Sequence, residues 1–196
     1  MYWRGQEIVN ISRDFLDTNG IKQNTNVYVK MPQKGGYFDS FAIEQEEDTF
    51  DLKEKWLAMI GDINIACQKG LSERFDSTIG AGTVLMPFGG VHQLTPAEVM
   101  AAKLPLTQGD TKTATMMSFG YQPKIFNWSP FHGAVYAVVE SLAKIVASGG
   151  SYEKARLSFQ EYFEKLGKDP EKWGKPFAAL IGGFLAQMKL GTARCV

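Results

Sequence analysis

Four side chains recur at every fourth position in one stretch: His132, Tyr136, Glu140 and Lys144. On a helix this spacing makes one polar stripe. Two chemistries suit it. Glu140 and Lys144 can form an exposed ion pair on a solvated face, contributing roughly 0.2–0.5 kcal/mol. Alternatively, Glu140 faces a site and binds a metal that bridges phosphates. Mg²⁺ suits that role, because it takes one or two carboxylates and shares a nucleotide's oxygens. The glycines of Gly80-Ala81-Gly82 would let backbone N–H groups approach a phosphate. No Gly-Lys-Ser/Thr follows them, so they form no Walker loop, and tight turns around a strand explain them more simply.

The only histidines, His92 and His132, lack a second ligand or nucleophile at a recognised spacing. Ser118 and Ser129 lack the setting of a nucleophile elbow. Both histidines therefore read as surface or packing residues. Asp14, Asp17 and Asp76 read as turn and cap residues.

The stripe lies on the clearest helix of the chain. Ser129 suits its cap and Pro130 its first position. Val135, Val138, Val139, Leu142 and Val146 line one face, and Gly149-Gly150 ends it. A second helix is predicted from about Lys175 to Leu190, with Pro176 near its start. Phe177, Ile181, Phe184, Leu185 and Met188 share its face. Each glycine of Gly182-Gly183 costs that helix roughly 1 kcal/mol, which a close backbone contact would explain.

A third helix starts at Asp51, with Glu54 completing a capping box. Its face of Leu52, Trp56, Met59, Ile60, Ile63 and Cys67 is expected to dock on the next domain, and Gly70 to stop it. Strands are expected at Ile8–Ser12, within 78–90 and at Thr111–Phe119. Residues 96–103 read equally as strand or short helix, and Arg156–Phe159 as a strand running into a helical turn. Ser12 caps a brief helix ending at Asn19-Gly20. Residues 22–48 lack periodicity and read as linker. Strands interleaved with amphipathic helices give an α/β (α+β) layer protein.

Composition narrows the function classes. The 21 basic and 21 acidic residues balance, whereas a nucleic-acid binder carries a basic excess. The longest like-charge stretch is Glu44–Asp48, too short for a charged tail. The start, Met1 to Glu7, has no apolar signal region. The most apolar helix contains Glu140 and Lys144, which argues against a membrane span. Cys67 and Cys195 are far apart and read as reduced thiols of a cytoplasmic protein. Apolar residues make up 44% of the chain, with 13 Phe and 4 Trp, enough for a core.

Three strings carry a resemblance: Glu73–Gly90 (ERFDSTIGAGTVLMPFGG), Trp128–Ser141 (WSPFHGAVYAVVES) and Leu157–Leu166 (LSFQEYFEKL). With them, the chain from about Tyr2 to Gly191 resembles the long single-chain bacterial form of phosphoribosylformylglycinamidine synthase. That family uses ATP and glutamine to convert formylglycinamide ribonucleotide to the amidine in purine biosynthesis. By the resemblance, 1–30 is the tail of the preceding synthase domain and 31–70 a linker and connector helix. Residues 71–196 are a domain like the N-terminal domain of aminoimidazole ribonucleotide synthetase, truncated at its C-terminal end. The implied fold is a small mixed sheet with helices packed on one face.

The resemblance further implies an internal fragment, inactive alone. After Lys189-Leu190-Gly191 the family continues to a Gly-Gly-Lys-Asp-Ser segment, where this chain reads Thr192-Ala193-Arg194-Cys195-Val196. The histidine-rich motif of the first half and the glutaminase residues lie outside the chain. The alternative is a non-catalytic module that binds Mg²⁺ with ADP or ATP, or serves as a scaffold. Glu140 falls at a metal-binding helical glutamate of the family, and Glu98 near a second acidic ligand. Lys144 falls where relatives have an asparagine ligand, and a lysine there would repel a cation. The implied partners are the remainder of the synthase polypeptide and a nucleotide, with a homodimer through the sheet face replacing the missing half.

Overall fold

A computed structural model describes residues 1–18, 24–32, 35–41, 51–75 and 82–192. Strands β1 (Tyr2–Trp3) and β2 (Gln6–Glu7) form a hairpin. Helices α1 (Arg13–Thr18), α2 (Leu52–Gly61) and α3 (Lys69–Phe75) follow, with a 3₁₀ turn at Tyr37–Phe41. Then come β3 (Thr83–Leu85), β4 (Val99–Lys103), β5 (Ala114–Ser118), α4 (Pro123–Trp128) and α5 (Pro130–Ala147). A 3₁₀ turn at Tyr152–Lys154 leads to α6 (Pro170–Leu190). The class is α+β. Among the described residues, no helix is long and apolar enough to cross a membrane.

The caps follow the chemistry of the sequence. Ser129 accepts from the His132 N–H at the start of α5, with Pro130 next. Asp51 accepts from the N–H groups of Lys53 and Glu54 at α2. Ser12 accepts from the Phe15 N–H at α1. Each cap gives a partner to an N–H that the helix leaves unpaired. The predicted stop of α1 at Asn19-Gly20 lies outside the described residues.

The sheet has the order β3-β4-β5 and both ladders are antiparallel, so it is not the expected mixed sheet. The strand expected at Arg156–Phe159 does not form, although Ala155 and Leu157 pack on the core. Val99 pairs with Ser118 and Ala101 with Met116, so these four share one face. Val99 and Ala101 are buried, and Ser118 Oγ donates to Ser141 O of α5 at 2.7 Å. The 96–103 ambiguity resolves to a strand from Val99. The N-terminal strand is likewise displaced. The pair is Tyr2–Trp3 with Gln6–Glu7 rather than Ile8–Ser12, because Arg4 and Gly5 take positive φ of 48° and 80° and make a two-residue hairpin turn.

Helices α5 and α6 form the core. Val138, Leu142 and Ala186 are its buried cluster, with Val135, Ala155 and Leu157 packed around it. On α5 the buried row is Gly133, Ala134, Val138 and Leu142, while Val139 and Val146 are exposed. The valine stripe therefore straddles two faces. Helix α6 departs further. It begins at Pro170 behind the Asp169 cap, and Pro176 sits inside it. Its buried face is Gly174, Ala178, Ala179, Gly182, Gly183 and Ala186, and Phe177, Ile181, Phe184, Leu185 and Met188 are exposed. Backbone approach decides this: a Cβ on Gly182 would run into Phe131 O of α5. Large side chains cannot enter so narrow a seam.

The expected Asp51–Lys69 connector helix ends at Gly61, and a separate α3 starts only at Lys69. Asp62 accepts from the N–H and the amide of Asn64, an Asx turn that competes with helix. Gly70 lies inside α3 instead of stopping a helix. Helix α2 has no buried residue, so its apolar face does not dock.

Candidate functional site

The two acidic residues singled out in sequence, Glu98 and Glu140, meet at one point, and that point is Lys144. Glu98 immediately precedes β4, Phe119 immediately follows β5, and Glu140 and Lys144 are one turn apart on α5. Lys144 Nζ lies 2.5 Å from Glu98 Oε2 and 2.8 Å from Glu140 Oε1. It donates to Phe119 O at 3.1 Å, and the Phe119 ring centroid is 4.2 Å away. An ammonium has three donors, and three oxygens take them. The aromatic face adds a cation–π contact.

The cage is held from behind. Tyr121 N–H and Gln122 Nε2 donate to Glu140 Oε2 at 3.1 and 3.0 Å, leaving Oε1 for the lysine. Gly120 lets the post-β5 loop lie on α5, because a Cβ there would run into Ala137 O. Lys144 and Glu140 side chains are 17% and 22% exposed, Glu98 54%. Burial disfavours the charge on Lys144, but hydrogen bonds to Glu140 and Glu98 outweigh it and raise its pKa above the ordinary 10.5. The pair is thus more enclosed than the solvated i,i+4 pair of the simple reading.

The resemblance implies Mg²⁺ at Glu98 and Glu140. As the chain is arranged, the donor set does not fit it, because the oxygens that would ligate the ion already surround an ammonium. Among the described residues, no three His, Cys, Asp or Glu side chains gather as metal ligands.

The other candidate residues scatter. His92 is exposed in the loop before β4. His132 is brought to a serine, with Nδ1 2.8 Å from Ser129 Oγ. That hydroxyl is buried and also caps α5, and the imidazole packs between Trp128 and Phe131, so the contact is structural. The i,i+3 spacing of a capping serine was the available signal. Gly82 extends the sheet, its carbonyl accepting from Lys103 N–H at 2.6 Å; Gly80, Ala81 and Asp76 lie outside the described residues. Cys67 is a free, exposed thiol, and Cys195 also lies outside.

A cleft of about 1700 Å³ opens between β5, α5, α6 and the extended 154–164 segment. Phe119, Gly120 and Tyr121 line it, whereas Glu98, Glu140 and Lys144 do not. The Lys175–Glu164 and Lys30–Glu171 ion pairs stand among its lining residues.

An α+β sheet-and-helix domain with an ammonium caged by two carboxylates and a carbonyl at the junction of two strands and a helix is what the geometry defines. The chain is 21% identical over 148 residues to the phosphoribosylformylglycinamidine synthase subunit PurL of Thermoplasma volcanium. The match covers 76% of this chain and 18% of that protein. The chain thus spans under a fifth of that relative's length. No family model matches the chain, and no solved structure does. The likeness supports a relationship to the phosphoribosylformylglycinamidine synthases.

Proposed function

We propose that this chain works as part of a phosphoribosylformylglycinamidine synthase, the ligase that converts formylglycinamide ribonucleotide to its amidine in purine biosynthesis, and is inactive alone. The 148-residue likeness to a PurL subunit carries the reading. Residues 71–196 then serve as the synthetase-type domain, and the remainder of the synthase polypeptide is the partner. Unburied apolar residues support such a partner: Trp56 and Ile63 in the α2–α3 region, and Leu180, Phe184 and Met188 on α6. Clusters of this kind mark surfaces that another chain covers. Val84 and Met117 on the sheet are exposed as well, and a homodimer would pair there.

The test is an assay of ADP release from formylglycinamide ribonucleotide, ATP and either ammonia or glutamine. The chain alone is expected to match a protein-free blank; steady turnover would overturn the reading that it is inactive alone. A module binding Mg·ADP is the second reading, favoured only by the convergence of Glu98 and Glu140. Calorimetry separates the two. With Lys144 seated between the carboxylates, Mg·ADP should give no binding heat, whereas a heat abolished by Glu140→Gln would favour the nucleotide module.

A further inference from the structure

Three oxygens converging on one point from separate elements form the kind of cage in which hard cations are held. Here Glu98 comes from the edge of β4, the Phe119 carbonyl from the end of β5, and Glu140 from α5. Of their distances to the central nitrogen, 2.5, 2.8 and 3.1 Å, the first already lies in the roughly 2.3–2.6 Å range typical of a hard divalent ion such as Ca²⁺, and the other two would contract by about 0.2–0.8 Å to reach it. A surface ion pair would not need a backbone carbonyl as third acceptor, nor a second set of donors fixing the far oxygen of Glu140.

We infer that Lys144 is the resident cation of this cage: a tethered ammonium that does the cross-linking work of a divalent ion and offsets one of the two carboxylate charges, making the site metal-independent. The ammonium joins the strand ends to α5 through one point, as a bound metal would. Two consequences follow from charge. While Lys144 is present, a divalent ion must displace a positive charge that has three hydrogen bonds, so its binding is suppressed. When the ammonium is removed, two carboxylates and a carbonyl face one another with no counter-charge, and the like charges repel. The cage then becomes a latent divalent-cation site, with water completing the coordination. This does not rest on the ligase reading, since it concerns only side chains within the chain.

The experiment is a titration of the full chain with Mn²⁺, followed by loss of the free-ion paramagnetic resonance signal. The natural chain should show no saturable site below about millimolar Mn²⁺. Lys144→Ala should gain one site at least tenfold tighter, and adding Glu140→Gln to Lys144→Ala should remove it. The inference is overturned if the natural chain binds Mn²⁺ in a way that Glu140→Gln abolishes. It is equally overturned if folded Lys144→Ala shows no gain. Should Lys144→Ala not fold, Lys144→Gln replaces it in the same titration with the same criteria. If neither folds alone, recovery of the helical circular dichroism on adding Mn²⁺ supports the inference, and failure to recover overturns it.

Discussion

Two parts of the chain share an amphipathic vocabulary and use it differently. Among the described residues before position 76, none is buried. The buried residues, from Phe88 onward, belong to the sheet, α4, α5, α6 or their connections, apart from Thr192 just after α6. Yet α2 has Leu52, Trp56, Met59 and Ile60, bulkier apolar residues than the glycines and alanines that α6 buries. The N-terminal part touches the rest through two short segments: Tyr28 N–H donates to Pro170 O at 2.9 Å, the Tyr28 carbonyl lies against Gly174 and Lys30 pairs with Glu171, while Tyr37 and Phe38 stack on Trp128 and Tyr136. Burial therefore depends less on how apolar a face is than on whether another backbone can approach it. Small residues permit the approach, and dispersion contacts then accumulate along the whole seam.

Glycine substitutions test this contrast most strongly. Gly182→Ala should destabilise by about 2–3 kcal/mol, because the clash with Phe131 O outweighs the roughly 1 kcal/mol that alanine gains over glycine in a helix. A Cβ added at Gly70 in α3 would meet nothing within 4 Å, so Gly70→Ala should stabilise by about 0.5–1 kcal/mol. Urea denaturation reads both, and equal signs would refute the distinction. Within α5, Val138→Ala should cost about 2 kcal/mol and Val139→Ala under about 0.5 kcal/mol, since Val138 is 2% and Val139 46% exposed. Similar losses would mean that the helix is rotated from the orientation described.

The smallest effect concerns exposed ion pairs. Hydrogen bonds from Lys103, then from the Thr111 N–H, hold Asp110 below its ordinary 3.8. A hydrogen bond from Lys175 is the chief cause that holds Glu164 below 4.5. Depressed carboxylate values give stability that is fully present above the unfolded pKa and lost as pH falls through the folded one. Stability should therefore stay level from neutrality to about pH 5 and decline below it. Lys103→Met should remove part of that decline; an unchanged acid limb in the urea midpoints would show that the Asp110 pair contributes nothing.

The amino-acid sequence by itself determined where α1, α2, α5, β3 and β5 form and how the capped helices α1, α2 and α5 begin. Ser129-Pro130, Asp51 and Ser12 act through atoms within three residues, so their effect is written locally. The spacing of Glu140 and Lys144 on one helix was legible for the same reason, and the strings at 73–90, 128–141 and 157–166 carried the resemblance before any geometry. The face that α6 buries was not legible, because periodicity scores large side chains whereas the Gly182–Phe131 approach selects small ones. Nor was the cage. Glu98 and Phe119 lie 46 and 25 positions before Lys144 in the chain, and a backbone carbonyl has no residue signature. Only the folding of β4, β5 and α5 against one another brings these oxygens around the ammonium.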